Sequence, residues 1–241
     1  MKNILVTGAS SGIGAAVSQY LDSEGYRVIM AARNRDKMQD MADHMKNAPL
    51  IIPADLSEED QIRNIFDTCK ASDIRLNGLV HCAGIGKSMP VKGIRINEDI
   101  HEQMKVNAYS FALMGRFFSS KRYCDDHCSL IAISSMASES CINGHCGYAS
   151  SKAAVNAMVK VMAKEFARRK FRVNAILPTY VDTPLLKGDM ESVFGLDKKI
   201  EQIQPLGIIQ PEAIAWLAEF LISDKGKYIT GALIPVTGGA M

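Results

Sequence analysis

Two side chains able to move a proton lie four positions apart in GYASSKAA (147–154): Tyr148 and Lys152. On a helix this spacing stacks them on one face. A phenol holds its proton to about pH 10, so near neutrality it regenerates its base form poorly. An ammonium beside it favours the phenolate and draws that pKa down, as a general acid-base group requires. Such pairs also sit idle on helix surfaces, so the reading depends on what the rest of the chain brings to them.

The chain opens with ILVT (4–7), a strand pattern, and runs straight into TGASSGIG (7–14) and a helical pattern ending at Gly25. Gly8, Gly12 and Gly14 allow a tight turn, close approach of backbone to a pyrophosphate, and close packing of helix on sheet. The helix N-terminus adds N–H groups and a positive dipole end. The candidate cofactor residues of this turn are Gly8, Ser10, Ser11, Gly12, Ile13 and Gly14. A tight strand–helix turn without a ligand is the plainer alternative.

The tip of the second strand selects between nicotinamide cofactors. A binder of NAD places an Asp or Glu there for the ribose 2′-OH. Here the segment is VIMAARNR, and the first acid after Tyr26 is Asp36, beyond the tip. Ala32 leaves room, and Arg33 offers a charged fork to a 2′-phosphate. The expectation is NADP(H) rather than NAD.

Positioning these groups requires alternating elements. Strand patterns recur at RVIMAA (27–32), LIIPAD (50–55), NGLVHCAG (77–84), SLIAISS (129–135), FRVNAILP (171–178) and ALIPV (232–236). Helical patterns lie between them: a charged one after 36, one at 57–70 with Ser57 as N-cap, and a long one near 97–122. Two more run from about 148 to 169 and over 211–223, the latter with Pro211 in its first turn. Strand–helix alternation predicts an α/β fold, a doubly wound parallel sheet of Rossmann type with helices on both faces. A single domain, 1–241, is expected. Its cofactor half is about 1–125 and its catalytic and substrate half about 126–241. The stretch 183–208 reads as a lid or substrate loop, or as a packed pair of helices.

Composition narrows the class of partner. The net charge of +2, from 28 basic and 26 acidic residues among 241, gives no case for nucleic acid or an anionic membrane. No stretch has the roughly 18 uninterrupted apolar residues of a membrane span. MKNILVTG lacks the apolar core of a secretory signal. A cytoplasmic protein is expected. The six cysteines are too few for a disulfide scaffold. Cys124, His127 and Cys128, and Cys141, His145 and Cys146, do not match zinc spacings, so free thiols and no metal are expected.

TGASSGIG, CAG after the fourth strand, VNAYS, ISS, YASSK and a terminal TGG, in this order over essentially the whole chain, resemble the short-chain dehydrogenase/reductase family. The style is that of its ketoacyl-carrier-protein reductases and similar small carbonyl reductases. The resemblance implies hydride transfer between NADP(H) and a carbonyl/alcohol substrate. It implies four catalytic residues: Tyr148 as general acid/base, Lys152 beside it and on the nicotinamide ribose, Ser135 on the carbonyl oxygen, and Asn107 at a helix bend. Ser135 precedes Tyr148 by 13 positions, as in the family, and Ser134 competes with it. By the same resemblance Asp55 and Leu56 bracket the adenine and Ala83 and Gly84 lie under the ribose. Pro178, Val181 and Thr183 hold the carboxamide. A homotetramer or dimer is implied, paired through helices near 103–122 and 148–168, where Ala153, Ala154, Ala157 and Val161 form a small-residue face.

Three positions depart from the family's pattern: HCAG (81–84) for NNAG, Pro178–Thr179 for Pro-Gly, and VTGG (236–239) for VDGG. Threonine takes positive φ less readily than glycine, so a different loop after the sixth strand is expected. Arg169 and Lys170 suit an acidic carrier protein at the site mouth, whereas Asp125 and Asp126 would repel one. A small-molecule carbonyl is therefore preferred to a ketoacyl group on a carrier. The remaining alternatives are an NADP-binding sensor without turnover, and nucleotide-sugar epimerase or dehydratase chemistry, for which the chain is short. His145 reads as a pocket-wall residue able to bond a polar substrate.

Overall fold

The computed structural model describes residues 1–187, 200 and 202–240. Seven strands form one sheet: β1 (Asn3–Thr7), β2 (Arg27–Ala32), β3 (Leu50–Pro53), β4 (Leu76–His81), β5 (Cys124–Ile133), β6 (Arg172–Pro178) and β7 (Leu233–Val236). Their order is β3-β2-β1-β4-β5-β6-β7, and every pairing is parallel.

The helices follow from the apolar pattern. In β1, Ile4 and Val6 point to one face and Leu5 to the other, the two-residue period of a strand. On the first face they meet Val17 and Leu21 of α1 (Gly12–Ser23) and Ile214 and Leu221 of α8 (Pro211–Ile222). On the second they meet Phe66 of α3 (Glu59–Ala71), Phe111 of α5 (Ser110–Phe118) and Val155 of α7 (Cys146–Glu165). Both faces are covered, which is why the strands read as unbroken apolar runs. Each fully buried Ile, Leu or Phe contributes roughly 1.5–3 kcal/mol. That packing holds the strand tips in register.

β1 is flanked by β2 on one side and β4 on the other, so the chain reverses direction across the sheet between β1 and β4. A crevice opens outside the strand C-termini at such a point. The two tips nearly touch: a Cβ on Gly8 would lie 2.9 Å from the Ala83 backbone, and Gly8 has φ +64°. Only glycine fits there.

Some boundaries differ from expectation. Ser57 is not an N-cap; α3 starts at Glu59 behind Glu58. Asp55 intervenes, because its Oδ1 accepts the Ser57 N–H at 2.9 Å in a local turn that delays the helix. The long helix expected at 97–122 is three pieces, α4 (Ile96–Gln103), a π-helical turn (Met104–Tyr109) and α5, ending at Phe118. β5 starts at Cys124 rather than Ser129 and carries an irregularity in which Leu76 pairs with Cys124 but Gly78 with Ser129. β3 stops at Pro53, and α7 gives way to a 3-10 turn at Ala167–Arg169. α2 (Arg35–Ala42) and a short α6 (Ala137–Ser140) complete the named helices. Of the stretch 183–208, residues 188–199 and 201 lie outside the described residues, and with them the choice between lid and helix pair. Among the described residues no helix is long and apolar enough to cross a membrane.

Candidate active site

The glycine-rich turn forms one end of a long trough. Gly8 has φ +64° and Gly12 φ +53°, and a Cβ on Gly14 would overlap the Gly8 carbonyl. Ser11 is the N-cap of α1, but its side chain makes no capping bond, so the first-turn N–H groups are left to another acceptor. A cavity of about 610 Å³ lies beside this turn, and Gly8, Ser10, Ser11, Arg33, Asp55, Leu56, Ala83 and Gly84 all line it. Eight of the sequence-predicted cofactor residues thus share one space.

Arg33 follows the last residue of β2 and is exposed on the cavity wall. Asp55 lines the same cavity. The Ser57 N–H is the main reason its carboxyl is held below the usual carboxylate range, with Arg33 and Lys105 adding to the effect. Asn34, next to Arg33, caps α2 by accepting the Lys37 N–H at 3.0 Å.

A second cavity of about 520 Å³ contains Ile13, Gly84, Ser135, Tyr148, Lys152, Pro178, Val181 and Thr183. Gly84 lines both cavities, so the two adjoin at the switch point and together make the trough. Gly12 and Gly14 line neither. Gly12 packs on Thr183, 3.2 Å from Cγ2 to the place of a Cβ, and joins the turn to the loop after β6.

Tyr148 and Lys152 share α7 and face this second cavity. The Lys152 ammonium donates to the Ile133 carbonyl at 2.9 Å and lies 5.8 Å from the centre of the Tyr148 ring. Burial lowers its pKa from 10.5 to about 8. Beyond Ile133 the chain has left the strand, so alternation no longer separates Ser134 from Ser135, and both line the cavity. Their bonding separates them. Ser134 Oγ donates to Asn156 Oδ1 at 2.7 Å, inside the core. Ser135 Oγ accepts the Ala137 N–H at 3.1 Å, which leaves its own hydrogen available to a ligand.

Asn107 is fully buried in the π-helical turn. Its Oδ1 accepts the Ile85 N–H at 2.8 Å, and its Nδ2 donates to the Ile85 carbonyl and Ser151 Oγ, each at 2.9 Å. A Cβ on Gly84 would lie 3.1 Å from Asn107 Oδ1 and 3.2 Å from Lys152 Nζ. The glycine thus leaves the ammonium within reach of the trough.

Sequence reasoning passed over the residues that hold this frame. His81, read as a departure, links the sheet to the π-helical turn. Its Nδ1 faces Thr7 Oγ1 at 3.0 Å and its Nε2 faces Ser110 Oγ at 3.2 Å. Thr7 Oγ1 accepts the Ala83 N–H, and Ser110 Oγ donates to the Val106 carbonyl. Both hydroxyls are thereby directed, which assigns the ring proton to Nε2 and the acceptor role to Nδ1. Burial lowers the His81 pKa from 6.5 to about 3, in keeping with a neutral ring.

Thr179 replaces a glycine without strain; the positive-φ residues do not include it. Its hydroxyl lies 2.5 Å from Gln204 Oε1 and 3.0 Å from the Thr237 carbonyl. The loop after β6 is tied to the C-terminal segment by that threonine, where a glycine offers no bond.

The four charged residues expected at the site mouth lie at the far end of the sheet from it. Asp125 and Asp126 lie at the start of β5, and the length of that 10-residue strand separates them from Ser135 at the other end. Asp126 pairs with Arg169 at 2.7 Å and Asp125 with Arg75 at 2.6 Å. Arg169 and Lys170 belong to that same far edge, so none of the four bears on what approaches the trough. His145 does line the second cavity, with its ring 6.3 Å from that of Tyr148. Among the described residues no group of three or more His, Cys, Asp or Glu is placed to hold a metal.

Known proteins resemble this chain in sequence and fold. A family model described as Enoyl-(Acyl carrier protein) reductase matches residues 8–241. The 3-oxoacyl-[acyl-carrier-protein] reductase FabG of Rickettsia conorii is 31% identical, covering 100% of this chain and 97% of its own. The uncharacterized oxidoreductase YxbG of Bacillus subtilis is 32% identical, covering 100% and 91%. Among solved structures, a short-chain type dehydrogenase/reductase from Mycobacterium ulcerans superimposes with a TM-score of 0.90 at 28% identity, covering 99% and 89%. A 3-ketoacyl-(acyl-carrier-protein) reductase from Brucella melitensis, complexed with NADH, does so with 0.88 at 26%, covering 99% and 98%.

Proposed function

Because the chain belongs to the short-chain dehydrogenase/reductase family, we propose that it is an NADP(H)-dependent oxidoreductase interconverting a carbonyl and its alcohol. Tyr148 is its general acid/base. The observation that carries this reading is the meeting of Tyr148, Lys152 and Ser135 in a cavity that adjoins, at Gly84, the one beside the glycine-rich turn.

The trough fits a nicotinamide dinucleotide. The glycine turn and the uncapped start of α1 suit its pyrophosphate. Arg33 suits a 2′-phosphate, Asp55 and Leu56 the adenine end, Ala83 and Gly84 the ribose. Ile13, Pro178, Val181 and Thr183 suit the nicotinamide end. When bound, NADPH supplies the hydride.

The chain's own residues manage the oxygen. Ser135 donates its hydroxyl hydrogen to the carbonyl oxygen, where negative charge grows. Tyr148 gives its phenolic proton to the same oxygen, and a positioned acid of this kind is worth roughly 10²–10⁴-fold. Lys152, with a pKa near 8, favours the phenolate that remains and is itself close to exchanging a proton at working pH. Asn107 holds Ile85, and so Gly84, against the ammonium. Among the described residues lining this cavity Lys152 is the one lysine or arginine, and Ile142, Leu185, Leu186 and Ile203 give it apolar walls. A small uncharged carbonyl compound suits it best.

The residues to about 125 serve as the cofactor half and the remainder as the catalytic half of one domain, in the cytoplasm. Ala153, Ala157 and Val161 are exposed along α7 and suit pairing with a second copy in a homo-oligomer. The test of function is NADPH oxidation over a broad panel of ketones and aldehydes. Turnover on at least one is expected; tight NADPH binding with no turnover on any contradicts the reading.

A further inference from the structure

One buried polar pair on α4 has no part in the chemistry above. Asp99 is 5% exposed and Gln103 fully buried, one helical turn apart. Gln103 Nε2 donates to Asp99 Oδ2 at 2.9 Å. That turns Gln103 Oε1 the other way, where it accepts the Lys87 N–H at 3.2 Å. Nε2 also donates to the Lys87 carbonyl at 3.4 Å, so the amide, anchored on the carboxylate, holds both backbone groups of Lys87.

The next turn repeats the arrangement, with Asn107 gripping the N–H and carbonyl of Ile85. Ile85 and Lys87 are two residues apart and face the helix, whereas Gly86 between them faces the cavity. A Cβ on Gly86 would lie 3.5 Å from Tyr148 Cε2 and 3.6 Å from the Leu185 methyl carbons. Gly86 thus borders the space a substrate must fill beside the phenol.

The same pair touches the opposite wall. A Cβ on Gly147, the residue before Tyr148, would come within 2.7 Å of both Asp99 Oδ2 and Gln103 Nε2. The Asp99–Gln103 pair is wedged between the 85–87 segment and the first turn of α7. The carboxylate also lies at the helix end whose dipole favours negative charge.

We propose that Gln103, oriented by Asp99, is a positioning residue that sets the gap between Gly86 and Tyr148 and with it the size of carbonyl substrate accepted. This rests on the carbonyl-reductase reading above. An apolar side chain at 103 leaves the Lys87 N–H without its acceptor, and the segment then moves to find water.

The test compares kcat/KM for a small aliphatic ketone and a bulky aryl ketone, with NADPH Kd measured alongside. Gln103→Leu shifts the bulky-to-small ratio by about tenfold, the scale of an ångström-level displacement, with NADPH Kd unchanged. Asp99→Leu shifts it in the same direction. Asp99→Asn keeps an acceptor oxygen for Gln103 and returns the ratio towards wild type, a rescue that a general loss of stability does not produce. Gly86→Ala narrows selectivity in the wild type and loses that effect beside Gln103→Leu. Should Gln103→Leu fail to fold, Gln103→Glu, which keeps an acceptor for Lys87 but sets oxygen against Asp99, carries the comparison. An unchanged ratio in the folded variants overturns the proposal while leaving the functional reading intact. A wild type that turns over no carbonyl overturns that reading first, and this proposal with it.

Discussion

The Lys152 ammonium and the Tyr148 ring stand 5.8 Å apart on one face of α7, with the ammonium buried and bonded to the Ile133 carbonyl. Burial holds the Lys152 pKa near 8, against 10.5 for a free lysine. Between those values the unfolded chain binds more protons than the folded one, so stability rises with pH through that window. Below pH 8 the buried charge is a cost on the order of 3 kcal/mol. Lys152→Met is therefore expected to be more stable than the wild type at pH 7 and to lose that advantage by pH 10. Urea unfolding without cofactor at both pH values checks this; a variant less stable at pH 7 contradicts it.

Burial lowers the His81 pKa as well, in a lower pH window. Its pKa falls from 6.5 to about 3 in the fold, so the neutral ring stabilises fully above pH 6.5 and progressively less as pH drops towards 3. Between pH 7 and 4.5 the wild type is expected to lose about 2–3 kcal/mol on this account. His81→Asn should be less stable at pH 7, yet show a smaller loss on acidification. Equal acid sensitivity in the two proteins contradicts the neutral, doubly bonded ring.

Ser134 and Ser135 should separate cleanly. Ser134→Ala removes a buried bond to Asn156 and is expected to reduce stability by about 1 kcal/mol while leaving catalysis largely intact. Ser135→Ala is expected to leave stability near wild type and to lower kcat about 10²–10³-fold. Melting temperatures and steady-state kinetics of the pair decide it; the reverse pattern overturns the assignment.

Arg33→Ala tests the cofactor. It removes the one cation at the tip of β2 that lines the adenosine cavity. NADPH affinity is expected to fall about tenfold or more, the loss of a charge-assisted pair, while NADH affinity barely changes. Wild-type binding of NADH tighter than NADPH contradicts the preference outright.

What the sequence showed clearly were the demands that few residues can meet. Gly8 and Gly14 are legible because backbone from Ala83, and Gly8 itself, occupies the place of a Cβ. Tyr148 and Lys152 are legible because a four-residue step on α7 needs no tertiary knowledge. The choice between the two serines was not, since it depends on where β5 ends. Asp125, Asp126, Arg169 and Lys170 misled, because sequence does not say which end of a strand faces the cleft. His81, Asp99 and Gln103 act through partners 74, 48 and 16 positions away or more locally through a π-helical turn, as the pairs Thr7–His81, Asp99–Gly147 and Lys87–Gln103 illustrate. Local pattern carries no trace of such contacts.

The most direct test of the central claim is Tyr148→Phe, which removes one oxygen and leaves the ring packed on α7. NADPH Kd is expected to stay near wild type while turnover on the best ketone of the panel falls at least about 10²-fold. Near-normal turnover in a folded Tyr148→Phe protein would show that the proton comes from elsewhere and would contradict the account.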